Sequence, residues 1–386
     1  MRVLFVDDEV RVLEAIERVL FELETEWETS YLSSGDLALA ELARAPYDVL
    51  ISDLRMPGMD GVGLLTRVAE LHPRVVRIVL SGHSDEEAAL KMVHVAHQFL
   101  AKPCAAETLH QVIARTETLT QLLPDRKLQT LAAQISTLPS PAHFHQELSA
   151  LSQSDDVGGT AAAMARLIKQ DPGTTAKLLQ VASSAFFNSS ASVADVEAAI
   201  MRLGFRTLRN LTHTLGSAAP ARPSALPTAT AVEAIQARAL CIARLAASMA
   251  RLPEDASAAY IAGLLCDVGQ LALVTSAPER LYVTQAEAAQ RGVPPHVAER
   301  ATWGTTHAEI GGYLLGLWGL PFQIVEAVAN HHTPERNADD RVGLPQLVWL
   351  AACIVEGEEP SPELLSRFGV EQLYATHRRP VQEGEA

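Results

Sequence analysis

Four short apolar runs in the first hundred residues each lead to a polar side chain, and this restricts that half of the chain to one kind of sheet. Val3-Leu4-Phe5-Val6 stops at Asp7 and Asp8, and Val49-Leu50-Ile51 leads to Asp53. Val75 to Leu80 stops at Ser81, and Phe99-Leu100 leads to Lys102-Pro103. Strands are predicted near 2–7, 27–31, 48–52, 75–81 and 97–101. Between them apolar residues recur at helical spacing, as at Val12, Ile16, Val19 and Leu20. Short apolar runs alternating with amphipathic helices indicate a doubly wound parallel sheet. The C-terminal ends of its strands converge on one edge, where ligands bind. Carboxylates gathered there repel one another unless a divalent cation sits among them, and an oxygen donor set of this kind suits Mg²⁺. An Asp partly neutralised in this way, beside a lysine, is suited to accept a phosphoryl group.

Beyond residue 125 the strand signals stop and helical periodicity takes over, so the rest is predicted to be all-α. Boundaries fall at Asp171-Pro172, Leu203-Gly204, Leu252-Pro253, Gly319-Leu320-Pro321 and Leu344-Pro345. Asp171 reads as an N-cap with Pro172 at the first helical position. The helix after Pro103 is expected to reach Leu123, where Pro124 can break it. Its pattern resumes from Arg126 to Ile135 as a semi-continuous helical linker. Residues 217–231, rich in Ala, Pro, Ser and Thr, read as a flexible connection. The tail after Tyr374 is polar and expected to fray. The expected domains are 1–122, a linker at 123–137, a helical domain at 138–356, and a C-terminal helix and tail at 357–386.

A length of 386 residues suits two domains. The 46 Asp and Glu against 31 Lys and Arg give a net charge of −15. That balance opposes nonspecific nucleic-acid binding and docking on anionic lipid. Cys104, Cys241, Cys266 and Cys353 form no CxxC pair, so they are expected to be reduced thiols in a cytoplasmic protein. The first apolar run ends at Asp7, too early for a signal peptide. No apolar stretch is expected to reach the ~18 residues of a membrane span.

Asp7-Asp8, Asp53, the run Asp53-Leu54-Arg55-Met56-Pro57-Gly58-Met59-Asp60-Gly61, Ser81 and Lys102-Pro103 together resemble the receiver domain of two-component response regulators. The resemblance covers residues 1–122 and implies a flavodoxin-like fold with five parallel strands. It implies that Asp53 accepts a phosphoryl group from a sensor histidine kinase. Asp8, Asp53 and the backbone carbonyl of Arg55 would bind Mg²⁺, with Asp7 acting through water. Lys102 would pair with the phosphoryl oxygens, and Ser81 would donate its hydroxyl and shift as they arrive. Phe99 stands at the aromatic switch position, where the family usually has Tyr; Phe has no hydroxyl to hydrogen-bond. Phosphorylation adds roughly two negative charges, enough to bias a two-state surface.

The helical half carries Asp171-Pro172 leading into Ala176-Lys177-Leu178-Leu179, then Ser183-Ser184-Ala185-Phe186-Phe187 and Met201-Arg202-Leu203-Gly204. Gly263-Leu264-Leu265-Cys266-Asp267-Val268-Gly269, His307-Ala308-Glu309-Ile310-Gly311, Trp318-Gly319-Leu320-Pro321 and His331-His332 follow. In this order they resemble the HDOD domain, a relative of HD-type metal-dependent phosphohydrolases. Those enzymes use a His-Asp dyad with further His and Asp ligands, and a metal-bound hydroxide attacks the phosphodiester. Here the dyad reads Cys266-Asp267, and an earlier family His falls near Arg238. A thiolate can bind metal, but a guanidinium cannot. Arg238 could instead supply the positive charge beside Asp267. His307, His331 and His332 complete the residual pocket. Thr306 and Glu309 fit a capping box, and His331-His332 lies where a helix C-terminus favours imidazole. The Gly-Tyr-Pro element of the diguanylate-cleaving branch is absent; Thr333-Pro334-Glu335 stands there.

The expectation is a two-domain response regulator. Phosphorylation at Asp53 would switch a non-catalytic HDOD output that binds a downstream protein or forms a homodimer, with no transition metal. The alternatives are a metal-dependent phosphohydrolase acting on a cyclic dinucleotide or nucleotide, and a nucleotide-binding sensor in the HD-like pocket.

Overall fold

The computed structural model describes residues 1–23, 25–82, 86–153, 157–184, 193–216, 228–336 and 341–378. Ala185-Phe186-Phe187, most of the predicted connection (217–227) and the end of the tail lie outside the described residues. What remains of that connection, from Thr228, is already helix.

Strands β1 (Arg2–Val6), β2 (Glu28–Leu32), β3 (Val49–Asp53), β4 (Val76–Ser81) and β5 (Gln98–Ala101) form one parallel sheet in the order β2-β1-β3-β4-β5. Helices α1 (Val10–Glu22), α2 (Gly35–Arg44), α3 (Gly61–Leu71), α4 (Glu86–Lys91) and α5 (Ala106–Leu122) alternate with them. The central strands β1, β3 and β4 are buried almost throughout, because helices cover both sheet faces. Each Leu, Ile or Val so buried stabilises by roughly 1.5–3 kcal/mol.

The predicted semi-continuous linker is interrupted. α5 ends at Leu122, and its non-helical C-cap Leu123 precedes Pro124. Asp125 then caps a separate helix, α6 (Arg126–Ala133), its carboxylate accepting from the N–H groups of Lys127 and Leu128. Pro124 has no N–H to continue the ladder, and the cap makes a new start cheaper than a kinked continuation.

The remainder is helical: α7 (Ala142–Ser152), α8 (Val157–Ile168), α9 (Pro172–Ala182), α10 (Val196–Gly216, interrupted at Gly204), α11 (Thr228–Met249), α12 (Pro253–Leu265) and α13 (Val268–Ser276). α14 (Pro278–Arg291), α15 (Pro295–Trp303), α16 (His307–Leu317), α17 (Phe322–Asn330), α18 (Leu344–Glu356), α19 (Pro362–Phe368) and α20 (Glu371–His377) complete it. Asp171 caps α9, accepting from Thr174 N–H at 2.7 Å. The stretch Asp255–Ser276, across α12 and α13, is long and apolar enough by composition to cross a bilayer, so the expectation that no run reaches that length fails. It is instead core helix: 89% of its apolar window is buried within the protein.

The two halves meet on the α4–β5–α5 face of the sheet domain. Lys177 of α9, 1% exposed, donates to Val93 O at 3.2 Å and to Gln180 Oε1 at 2.9 Å. Its ammonium lies 3.8 Å from the Trp318 ring centroid, a cation–π contact. Gln180 donates to His97 O at 2.8 Å and Ala96 O at 3.3 Å. Arg115 of α5 donates to Leu320 O, and His94 hydrogen-bonds Thr214 O at 3.0 Å. Arg77 and His97 both reach Ala133 O at the end of α6. Cationic and neutral side chains thus meet main-chain carbonyls, and among the described residues no carboxylate pairs with Lys177. Burial and the nearby Arg77 charge push the Lys177 ammonium well below its ordinary pKa.

Candidate functional site

The first candidate site lies at the C-terminal edge of the sheet. β1 and β3 are adjacent, so their ends bring Asp7, Asp8 and Asp53 together, one carboxylate oxygen of each within 4.8 Å of the others. Asp7 and Asp53 are buried and Asp8 is exposed. Lys102, just past β5, places Nζ 2.6 Å from Asp7 Oδ2 and 2.7 Å from Asp53 Oδ1. Burial alone would lower its pKa, but the hydrogen bonds and charges of Asp53 and Asp7 outweigh that and raise it. Lys102 N–H donates to Ser81 O at 2.8 Å, which fixes its backbone beside the fully buried Ser81.

The loop after β3 folds back closely on Asp53. Arg55 N–H donates to Asp53 Oδ2 at 3.1 Å. Asp60 caps α3 through Gly63 N–H at 2.8 Å. Gly61 is required by contact: a Cβ there would stand 2.0 Å from Asp53 O. Phe99 is 3% exposed within β5 and packs in the core.

Among the described residues the three carboxylates outnumber the Lys102 ammonium, which leaves the cluster negative. All-oxygen donors with an exposed member suit a Mg²⁺ ion that keeps several waters. Arg55 lies beside the cluster through its N–H.

The second candidate site lies among α11, α13, α15, α16 and α17. Asp267, 1% exposed, receives Arg238 Nε at 2.9 Å on Oδ2 and His307 Nε2 at 3.2 Å on Oδ1. His307 Nδ1 donates to Glu299 Oε2 at 2.7 Å, and so does His307 N–H at 2.8 Å. With both ring nitrogens donating to carboxylates, His307 is an imidazolium. Burial opposes its charge, but Glu299 and Asp267 prevail and push its pKa up to about 10. Burial also opposes the Asp267 charge, yet Arg238 and His307 hold its carboxyl below the ordinary range. Gly269 permits this geometry, since a Cβ there would lie 1.9 Å from His307 O.

His332 Nε2 lies 3.2 Å from His307 Nε2, and its ring stacks on His296 at 3.9 Å. His331 Nδ1 donates to Val328 O at 2.7 Å, at the end of α17. Burial, and then the His307 charge, pushes His331 down to about 4. Burial and the Asp267 charge push the Cys266 thiol well above its ordinary value, so it is not a thiolate. Glu309 accepts from Thr306 N–H at 3.1 Å and pairs with Arg300 and Arg336, so it serves the helix start. Donor atoms of His307, His331 and His332 lie within 4.8 Å of one another, as do those of Cys266, Asp267 and His331.

All six residues singled out in this pocket from the sequence come together here. Four others were not foreseen: Glu299, Gln270, His296 and Glu356. Gln270 Nε2 lies 3.4 Å from Asp267 Oδ1. Glu356 lies 3.8 Å from Arg238, and burial beside Asp267 pushes it up to about 7. The eight-residue spacing from Glu299 to His307 crosses a helix boundary, so no periodicity marks it.

The family model for the response regulator receiver domain matches residues 3–114, and that for the HDOD domain matches residues 138–334. The hydrogenase transcriptional regulatory protein HoxA of Cupriavidus necator is 36% identical over 150 residues, covering 34% of this chain and 30% of its own. An uncharacterized protein of Treponema pallidum is 28% identical over 228 residues, covering 56% of this chain and 44% of its own. The chain therefore spans less than half the length of these curated relatives. Among solved structures, the MmoQ response regulator of Methylococcus capsulatus is 26% identical, with a TM-score of 0.47, covering 63% of this chain and 98% of that one. An HDOD domain protein of Geobacter sulfurreducens is 20% identical, with a TM-score of 0.36, covering 70% and 90%. With the HDOD match extending over half of its residues, the chain belongs to the HDOD family and carries a response regulator receiver domain ahead of the HDOD domain.

Proposed function

We propose that this chain is a phosphorylation-switched response regulator whose HDOD domain acts by binding another protein rather than by catalysis. The observation that carries the reading is Asp53 at the sheet edge, held 2.7 Å from Lys102 with Asp7 and Asp8 beside it. A carboxylate oxygen of Asp53 would attack the phosphorus of a kinase phosphohistidine. The P–N bond breaks, the imidazole leaves with its electron pair and takes up a proton, and an acyl phosphate forms on Asp53. Asp8, Asp53 and the Arg55 carbonyl would hold Mg²⁺, with Asp7 acting through water. When bound, the ion would supply charge neutralisation at the phosphoryl oxygens. Lys102 would turn its ammonium from the carboxylates to the new oxygens, and Ser81 would donate its hydroxyl to them. We assign Ser81 and Phe99 as the switch residues.

The route from Asp53 to the HDOD domain would be short. Lys102 follows β5, Phe99 lies within it, and Ala96 and His97 precede it. Their carbonyls are the ones Gln180 holds. A shift of β5 would therefore act directly on α9. We propose the boundaries 1–122 for the receiver, 123–137 for the linker and 138–356 for the HDOD domain. Four unpaired cysteines suit a reducing compartment such as the cytoplasm.

The non-catalytic assignment of the HDOD pocket is supported by its donor set. Both oxygens of Asp267 are engaged by cations, and Cys266 is a buried neutral thiol. These residues do not fit a divalent metal at the dyad position. Stoichiometric transition metal in the purified protein would overturn this. The phosphoacceptor is tested by exposing the chain to acetyl phosphate with Mg²⁺ and reading intact mass. One phosphoryl adduct is expected on the wild type and none on Asp53→Ala. An equal adduct on both, or none on the wild type, would sink the reading.

A further inference from the structure

A cleft of about 440 Å³ opens on the HDOD domain between α8, α11 and α12, sharing no lining residue with either site above. Arg166 of α8, Lys169 just beyond it and Arg244 of α11 all line it. Convergence of three cations is against the trend of a chain with net charge −15. Its acidic lining residue, Asp195, is already engaged by Ala198 N–H at 3.0 Å and by Lys169 Nζ at 3.6 Å. Lys169 also pairs with Glu197, so its charge is largely spent. Arg166 and Arg244 are exposed, and among the described residues neither guanidinium has an ion-pair partner. Two planar forks of five donors each are therefore free to take phosphate oxygens, which they match bidentately.

The rest of the lining is of a different character. Tyr260 and Ile261 of α12, with Ala247 and Ala256, give an aromatic and aliphatic wall. The Tyr260 hydroxyl donates to Lys169 O at 3.0 Å, which anchors its ring beside the cations. A cationic rim over an aromatic wall suits a planar ring joined to phosphate, since rings stack on tyrosine while guanidinium groups take the charge. The volume is within the range of small-ligand sites and is too small for an extended peptide. We infer that this cleft binds a small phosphorylated ligand with a planar ring, of the mononucleotide kind.

The position gives such a ligand a route to the domain interface. Lys169 and Gln170 lead through Asp171 into α9, which carries Lys177 and Gln180. α11 carries Arg244 six residues beyond Arg238. Occupancy would bear on both elements without touching Asp53.

The full chain titrated with AMP, GMP and inorganic phosphate, by calorimetry and by thermal shift, tests this. Saturable binding of at least one nucleotide is expected, tighter than that of phosphate alone. The double substitution Arg166→Glu with Arg244→Glu should weaken it by at least about tenfold. Both residues are exposed, so the far-UV circular dichroism and the melting temperature without ligand should match the wild type. No saturable nucleotide binding, or binding unchanged in the double variant, would overturn the proposal. Phosphate binding as tightly as the nucleotides would overturn the nucleotide assignment. Asp53→Ala should bind nucleotide as the wild type does.

Discussion

The receiver edge and the HD-like pocket are built from similar parts and differ in their charge balance. At the receiver edge Asp7, Asp8 and Asp53, among the described residues, face the ammonium of Lys102. In the HD-like pocket Asp267 and Glu299 face two cations, Arg238 and His307. The first is left short of positive charge and open to solvent through Asp8. The second is neutralised and buried, with the oxygens of Asp267 already bonded. A deficit of positive charge at an edge open through Asp8 suits a hydrated divalent cation. In the HD-like pocket Arg238 and His307 already bond both oxygens of Asp267, with Glu356 pushed up to about 7 beside them.

The largest expected break in this comparison comes from Arg238. Arg238→Ala leaves Asp267 buried without its main counter-charge, which should cost about 3–5 kcal/mol, read as a fall in the HDOD melting transition. Arg238→His should recover part of that loss and gain stability from added Mn²⁺ or Zn²⁺. A metal-insensitive Arg238→His variant would mean that charge balance is not what separates the two pockets.

A smaller effect is expected where the two regions touch. Gln180→Leu leaves the Ala96 and His97 carbonyls without their donor, at roughly 1–3 kcal/mol. Faster hydrogen exchange at β5 and greater protease access to residues 123–137 would report the loosened contact. Unchanged exchange at β5 would separate the receiver mechanically from α9.

The smallest effect concerns pH. Burial pushes His97 well below its usual pKa, and the Arg77 charge adds to this; burial also lowers His94. Released histidines take up protons near pH 6.5 that the docked ones refuse. Docking is therefore favoured above about pH 6.5 and weakens as the pH falls below it. His296, His331 and His332 titrate with the same sign, so His97→Gln isolates the interface. The variant should show a flatter dependence of melting temperature on pH than the wild type.

Much of this was determined by the sequence alone. Short continuous apolar runs, alternating with amphipathic helices, specify the parallel sheet because each strand must bury both faces. The polar residue after each strand then falls at one edge, so Asp7, Asp8, Asp53, Ser81 and Lys102 could be grouped without coordinates. Asp171 with Pro172 marked the start of α9 because capping is local chemistry. The dyad position at Cys266-Asp267 was legible only through the resemblance to the HDOD domain and its HD-type relatives.

Other features needed the tertiary structure. Lys177 and Gln180 belong to a helix buried on every side, whereas their polarity by itself would place them in solvent. The docked receiver supplies the Val93 carbonyl, and α16 brings the Trp318 ring; together with Gln180 they make burial of a lysine tolerable. Glu299 and Glu356 reach the HD-like pocket from separate helices, and no spacing relates them to Asp267. The break at Leu123–Asp125 was readable as a Pro, but the contacts of α6 with Arg77 and His97 were not. Local patterns report what a residue prefers against water. Which neighbour replaces that water is decided by packing between elements far apart in the chain, and in this protein that packing joins the receiver to its output.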